Sequence, residues 1–207
     1  MGSIILGGGQ SSRLGQDKVS LIIAGESLIQ RTISRLTQLG ENIILVLAQN
    51  QEKPELPSFP EVKITTDLDP GKGPLVGIYS GLKISNDEYC VAVACDMPFL
   101  NIDLLRYMKE LTPGFDAVIP RVDGEVEPLH AVYSQNCAGV IKTMLNQNDL
   151  KVRNLLKQMK VRYVEESEVN SFDPDHLSWF NINTPDDLQK AKDIMGEKRQ
   201  ITNYNDQ

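Results

Sequence analysis

Close to the start of the sequence stands Ser3–Lys18, SIILGGGQSSRLGQDK, and the reading of this stretch decides the fold. Ile4, Ile5 and Leu6 form a short apolar run of the kind that makes a buried strand, and the run stops at Gly7-Gly8-Gly9. A strand that ends on glycines exposes successive backbone N–H groups with no side chain in the way, and such a turn forms a concave, positive surface suited to phosphate oxygens. Ser11, Ser12, Arg13 and Lys18 follow it with hydroxyl donors and two cations. The pattern therefore predicts a triphosphate cradle. It is neither of the two common phosphate loops. The P-loop requires GK[ST] opening a helix, and the dinucleotide fingerprint requires spaced glycines. Here the glycines are consecutive, and the lysine stands nine residues beyond the last of them.

Outward from this stretch, strand-like and helix-like patterns alternate. Val19–Ile23 is a short apolar run closed by Ala24-Gly25. Ser27 is placed to cap a helix that presents Leu28, Ile29, Ile33, Leu36 and Leu39 at helical spacing and ends at Gly40. Asn42–Ala48 (NIILVLA) is a continuous apolar run, as expected of a parallel strand covered on both faces. Residues 49–60 hold three prolines and read as a surface loop before a third strand over Val62–Thr66.

In DLDPGKGPLVGIYSGL, Asp67 follows that strand, and Pro74 sits at a first helical position, where its missing N–H leaves nothing unpaired. Tyr89–Ala94 is another buried strand and ends on CDMPFL. A carboxylate such as Asp96, at the carboxyl end of a central parallel strand, projects into the crevice where open α/β sheets bind ligands; that is a natural place for a metal ligand. A helix begins at Asn101 or Asp103. Strands are expected at Asp116–Ile119 and Pro128–Tyr133, the second an alternating strand and a candidate for the antiparallel direction, joined by a hairpin-like Val122–Glu127. Helices at Asn136–Asn146 and Val152–Met159, a strand at Val161–Val164, an acidic loop, and a last helix Pro185–Met195 capped by Thr184 complete the pattern.

Strands separated by helices or long crossings predict a single-domain α/β fold, a Rossmann-like three-layer sandwich with a mainly parallel, mixed sheet. The domain is expected over residues 1–195, with a polar, disordered tail from Gly196. At 207 residues the chain can bury a substantial core without disulfides. Its 28 acidic and 21 basic side chains give a net charge of −7, and no basic block stands out, which argues against a nucleic-acid surface. Cys90, Cys95 and Cys137 fit no zinc spacing and read as free core thiols. No run approaches the length of a membrane span, so a cytoplasmic protein with no membrane partner is expected.

The opening string resembles LAGGxSxRMGxDK, the signature of the molybdenum cofactor guanylyltransferases, within the wider group of sugar-nucleotide-like nucleotidyltransferases. Gly7 replaces an alanine and Leu14 a methionine. Further segments carry the likeness: Cys95-Asp96-Met97-Pro98 resembles CDxP, Gly73-Pro74-Leu75 with Gly77 resembles GPLxG, and NINTPDDL from Asn181 resembles NxNTPEDL. The resemblance implies a Mg²⁺-dependent transfer of GMP from GTP to the phosphate of molybdopterin-bound molybdenum cofactor, with pyrophosphate released. It implies Arg13, Lys18 and Asp96 as catalytic residues, with Asp96 holding the magnesium. Leu6, Gly7, Gly8, Gly9, Lys18, Asp67, Gly73, Pro74 and Asp96 are the implied nucleotide contacts. Asn181, Asn183 and His130, the last in a segment like the family's PLxALY, would meet the acceptor, and Arg153 is a further candidate for its phosphate. Molybdoenzymes or other cofactor-biosynthesis proteins are implied partners. The chain departs from the family at the end of its second strand, where Val46-Leu47-Ala48 replace an asparagine, which leaves base recognition open. A cytidylyltransferase acting on the same cofactor or on a sugar or polyol phosphate, and a non-catalytic nucleotide- or cofactor-binding chaperone, are the alternatives.

Overall fold

The computed structural model describes residues 1–8, 18–40 and 42–204, and for Lys18 and residues 197–204 it describes the backbone alone. The first strand, β1 (Gly2–Leu6), is fully buried. A small hairpin follows, β2 (Ile22–Ile23) and β3 (Glu26–Ser27), turning through Ala24 and Gly25, both at positive φ. The sequence showed its turn, but not the pairing of such short strands.

Helix α1 (Leu28–Leu36) starts on a capping box in which Ser27 and Gln30 satisfy each other's backbone amides. The helical pattern expected as far as Leu39 ends in a 3₁₀ turn, Thr37–Leu39, closed by Gly40 in the left-handed conformation. Strands β4 (Ile43–Leu47) and β5 (Lys63–Thr66) precede helix α2 (Pro74–Ile84), whose N-cap, Gly73, has φ 75°, a conformation that favours glycine. Strand β6 (Tyr89–Ala94) leads to α3 (Ile102–Glu110), capped by Asn101, whose side chain accepts the Leu104 N–H at 2.9 Å. Asp96 is therefore not that helix's cap.

Strands β7 (Ala117–Val122) and β8 (Glu125–Val126) form the expected hairpin, and β9 (His130–Ser134) follows. Helices α4 (Cys137–Asn146) and α5 (Val152–Leu156) precede β10 (Val161–Glu165). The acidic loop expected next contains one short helix, α6 (Glu166–Val169), which a Glu165/Glu168 capping box stabilises. Helix α7 (Pro185–Tyr204) runs past the expected end at Met195. A single glycine in a helix interior costs about 1 kcal/mol, and Gly196 stands in a sequence with no proline to stop the helix.

The sheet has the order β10-β7-β9-β6-β1-β4-β5, with β8 paired to β7. β1 lies between β4 and β6 and is parallel to both, β5 is parallel to β4, and β10 is parallel to β7. β9 runs antiparallel to β6 and β7. The sheet is therefore mixed, with a mainly parallel core. The alternation of side chains along β1 separates two cores: Ile4 and Leu6 pack with α2, α4 and α5, while Ile5 packs with α1, α3 and α6. This gives three layers. Helix α2 lies close on β1 because Gly77 and Gly81 face it one helical turn apart. A Cβ at Gly81 would fall 2.5 Å from Ile4, and one at Gly77 would fall 2.7 Å from Leu6. Cys90, Cys95 and Cys137 are buried and form no disulfide among the described residues. Among the described residues, no helix is long and apolar enough to cross a membrane.

Candidate functional site

From β1 the chain proceeds to β4 and β5 on one side, then returns to β6 on the other, so the strand order reverses beside β1. Open α/β sheets bind ligands at the carboxyl ends of strands at such a reversal. A cleft of about 380 Å³ opens there, lined by Leu6, Gly7, Gly8, Val46, Asp67, Gly73, Pro74, Gly77, Ala94, Cys95, Asp96, Leu129, Asn181 and Asn183. Residues from both ends of the chain meet in this one space.

The glycine turn is built against the end of β4. Gly7 N–H donates to Val46 C=O at 2.8 Å, and a Cβ at Gly7 would fall 2.9 Å from Leu47 and 3.0 Å from Leu45. At Gly8 a Cβ would fall 2.9 Å from the Ala48 nitrogen. A side chain at Gly8 would meet the backbone of the neighbouring strand end and push the turn off it, whereas one at Gly7 would have to displace the Leu45 and Leu47 side chains. The first turn of α2 also faces the cleft, and the positive end of a helix favours an anion there.

Asp96 is held through its backbone. Cys95 N–H donates to Leu6 C=O at 3.1 Å, the Thr32 hydroxyl donates to Cys95 C=O at 3.3 Å, and Ile182 N–H donates to Asp96 C=O at 3.0 Å. The last of these bonds brings Asn181 and Asn183 to the same wall as Asp96. Asn181 donates its side-chain amide to Trp179 C=O at 2.9 Å. Asn183 N–H donates to the Asp187 carboxylate at 3.0 Å, as part of the N-terminal cap that Thr184 and Asp187 make on α7.

Asp67 stands at the end of β5, its N–H donating to Leu47 C=O at 2.9 Å. Its carboxyl lies 3.4 Å from the Cβ position of Gly8 and 3.6 Å from that of Gly77, and its Oδ1 is buried with no hydrogen-bond partner among the described residues. Burial pushes this carboxyl up to about 6. A half-buried carboxylate without a donor fits a ligand that brings N–H or O–H groups. The described lining holds two carboxylates and no basic side chain. Gly9, Ser11, Ser12, Arg13, Asp17 and the side chain of Lys18 lie outside the described residues.

His130, expected at the acceptor, is not in the cleft. It is fully buried in β9 between β6 and Ser178, with its Nε2 2.8 Å from the Ser178 hydroxyl, and burial pushes its pKa down to about 4. The neutral imidazole packs edge-on against Trp179. Only its neighbour Leu129 lines the cleft. Arg153 is exposed and paired with Glu125. Val46, Ala94 and Cys95, which the residue patterns did not single out, line the cleft because they end strands β4 and β6. Their place at strand ends is the signal that could have found them.

A mainly parallel sheet with this cleft at its reversal is the plan of a nucleotide-binding α/β enzyme. Residues 3–163 match the family of the MobA-like NTP transferase domain, and the chain belongs to that family of nucleotidyltransferases. It is 36% identical over 204 residues to a probable molybdenum cofactor guanylyltransferase of Peptoclostridium acidaminophilum, covering 95% of this chain and 90% of that one. A second such protein, from Pelotomaculum thermopropionicum, is 35% identical over 194 residues, covering 94% of this chain and 92% of the relative. Among solved structures, the molybdopterin-guanine dinucleotide biosynthesis protein A of Archaeoglobus fulgidus superposes with a TM-score of 0.82 at 30% identity, over 95% of this chain and all of that one.

Proposed function

We propose that this chain transfers GMP from GTP to the phosphate of molybdopterin-bound molybdenum cofactor. An oxygen of the acceptor phosphate forms a bond to the α-phosphorus, the α–β bridging bond breaks, and pyrophosphate leaves. The observation that carries this reading is the single cleft joining the glycine turn, Asp67, Asp96 and the Asn181/Asn183 segment. Relatives named as guanylyltransferases over nearly the whole chain supply the base and the acceptor.

The protein's part in such chemistry is positioning and charge stabilisation. The Gly7–Gly8 amides and the N-terminal turn of α2 would receive the nucleotide, Asp67 would accept its donor groups, and Arg13 and Lys18 would neutralise the phosphates. The donor set fits magnesium. Asp96, a hard carboxylate, lines the cleft together with Asn181 and Asn183, whose neutral side-chain amides add oxygen donors without further charge. Mg²⁺ retains much of its water and takes few protein ligands, so a site of this kind suits it. When bound, it would offset the negative charge of the phosphates. Asp96 would hold it, and the N–H of Ile182 keeps Asp96 beside the two asparagines.

The test is a panel of α-labelled nucleoside triphosphates with Mg²⁺ and reconstituted molybdenum cofactor. Transfer of label from GTP with one pyrophosphate per product is the expected result. Transfer from CTP in preference to GTP, or GTP binding without transfer, would overturn the assignment.

A further inference from the structure

Gln51 follows β4 and reaches back to the glycine turn. Its backbone N–H donates to Ala48 C=O at 3.1 Å, closing a tight turn, while its side-chain Oε1 accepts the Ala48 N–H at 3.1 Å. Its Nε2 donates to the Gly7 carbonyl at 3.1 Å. One amide therefore ties the strand that ends in Val46-Leu47 to the strand that ends in Leu6, across 44 positions of sequence.

We infer that Gln51 is a positioning residue for the nucleotide, because its clamp on the Gly7 carbonyl sets the plane of the Gly7–Gly8 peptide and so directs the Gly8 N–H into the cleft. A trans peptide is planar, with its C=O and N–H on opposite sides, and the described chain contains no cis bond. Holding the carbonyl towards Gln51 turns the N–H the other way. The β4 side of Gly8 is already filled, since a Cβ there would fall 2.9 Å from the Ala48 nitrogen, whereas Gly8 itself is exposed and lines the cleft. Glycine has the widest choice of backbone conformations, so a glycine turn without such a tie would have to be ordered by each nucleotide that binds. Val46, near the end of β4, is apolar and 1% exposed, so the strand itself offers no polar side chain there. The polar link from β4 to the glycine turn comes instead from the turn after the strand.

This inference rests on the nucleotidyl-transfer reading, and the experiment separates the two. Gln51→Glu keeps an oxygen for the Ala48 N–H but has no donor for the Gly7 carbonyl. Gln51→Met removes both bonds at similar size. GTP affinity is measured by calorimetry, and KM for GTP and for the acceptor by pyrophosphate release, alongside thermal melting. The expected result for Gln51→Glu is a rise of about tenfold in Kd and KM for GTP, equivalent to ~1.4 kcal/mol, with acceptor KM within about twofold of wild type and Tm shifted by no more than ~3 °C. Gln51→Met should weaken GTP at least as much. GTP affinity within about twofold of wild type in Gln51→Glu, or a parallel rise in acceptor KM, would overturn the clamp. A wild-type chain that binds GTP yet transfers nothing would overturn the proposed function instead, and the calorimetric comparison would still decide the role of Gln51.

Discussion

Asp67→Asn should make the ligand-free protein more stable and a poorer binder of nucleotide. Burial holds the Asp67 carboxyl at about 6 in the folded chain, against an ordinary 3.8, and no described donor meets its Oδ1. At 1.36 kcal/mol per pK unit, ionising it in the fold opposes folding by ~3 kcal/mol; because the side chain is only partly buried, screening by water reduces this to ~1.5 kcal/mol. A raised carboxyl pKa means that the folded state binds more protons than the unfolded state between about pH 4 and 6, so this destabilisation is complete above about pH 6 and absent below about pH 4. Replacing the carboxylate with an amide of the same shape removes it. The expected gain of ~1.5 kcal/mol corresponds to ~3–6 °C in Tm for a chain of this size. Thermal melting of both proteins without nucleotide, at pH 7.5 and at pH 4, gives the comparison. The variant should melt higher at pH 7.5, and the gap should close at pH 4. Comparing the two proteins at each pH cancels the other titrating groups, including the buried His130. With GTP present the order should reverse, because the wild type alone keeps the carboxylate that accepts the ligand's donors. A variant that melts below the wild type at pH 7.5, or a gap of equal size at both pH values, would refute the argument that the folded cleft strains this carboxylate.

Further outcomes follow from the same geometry. Gly81→Ala places a Cβ 2.5 Å from the fully buried Ile4, so overpacking of ~1–3 kcal/mol exceeds the gain in helix propensity and the urea midpoint should fall. Ser178→Ala removes a buried hydroxyl that accepts the Asn101 N–H at 2.7 Å and bonds to His130, which should destabilise the chain by ~1–3 kcal/mol in urea titration. Asp96→Asn should leave Tm within ~2 °C of wild type while lowering kcat at least about a hundredfold in the pyrophosphate-release assay, the scale expected when electrostatic stabilisation of a transition state is lost.

Much of the fold could be read from the order of the residues because the relevant physics is local. Apolar runs such as Asn42–Ala48 and Tyr89–Ala94 cannot stay in water; Ser27, Asn101 and Thr184 signal helix starts through bonds reaching three residues along the chain, and Pro74 does so because its fixed φ and missing N–H suit a first helical position. Asp67, Asp96, Gly7, Gly8, Asn181 and Asn183, which line one cleft, could be picked out for the same reason: each lies at a predictable end of an element. The short pairings were not. β2 and β3 are two residues each, and α6 rests on one capping box, so neither carries enough periodicity to stand out. The role of His130 failed for a different reason, since alternation in β9 says which residues share a face but not what covers that face. Ser178, 48 positions later, covers it.

The sequence by itself determined which elements form, where most of them start, and which residue types stand at their ends, because hydrophobic spacing, capping and backbone restrictions act over a few neighbouring residues. The tertiary structure alone decided the strand order that places β1 between β4 and β6, the packing of Gly77 and Gly81 against β1, and the reach of Gln51 back to Gly7. Those contacts join segments far apart in the chain, and their energies exist only once the layers have closed on one another.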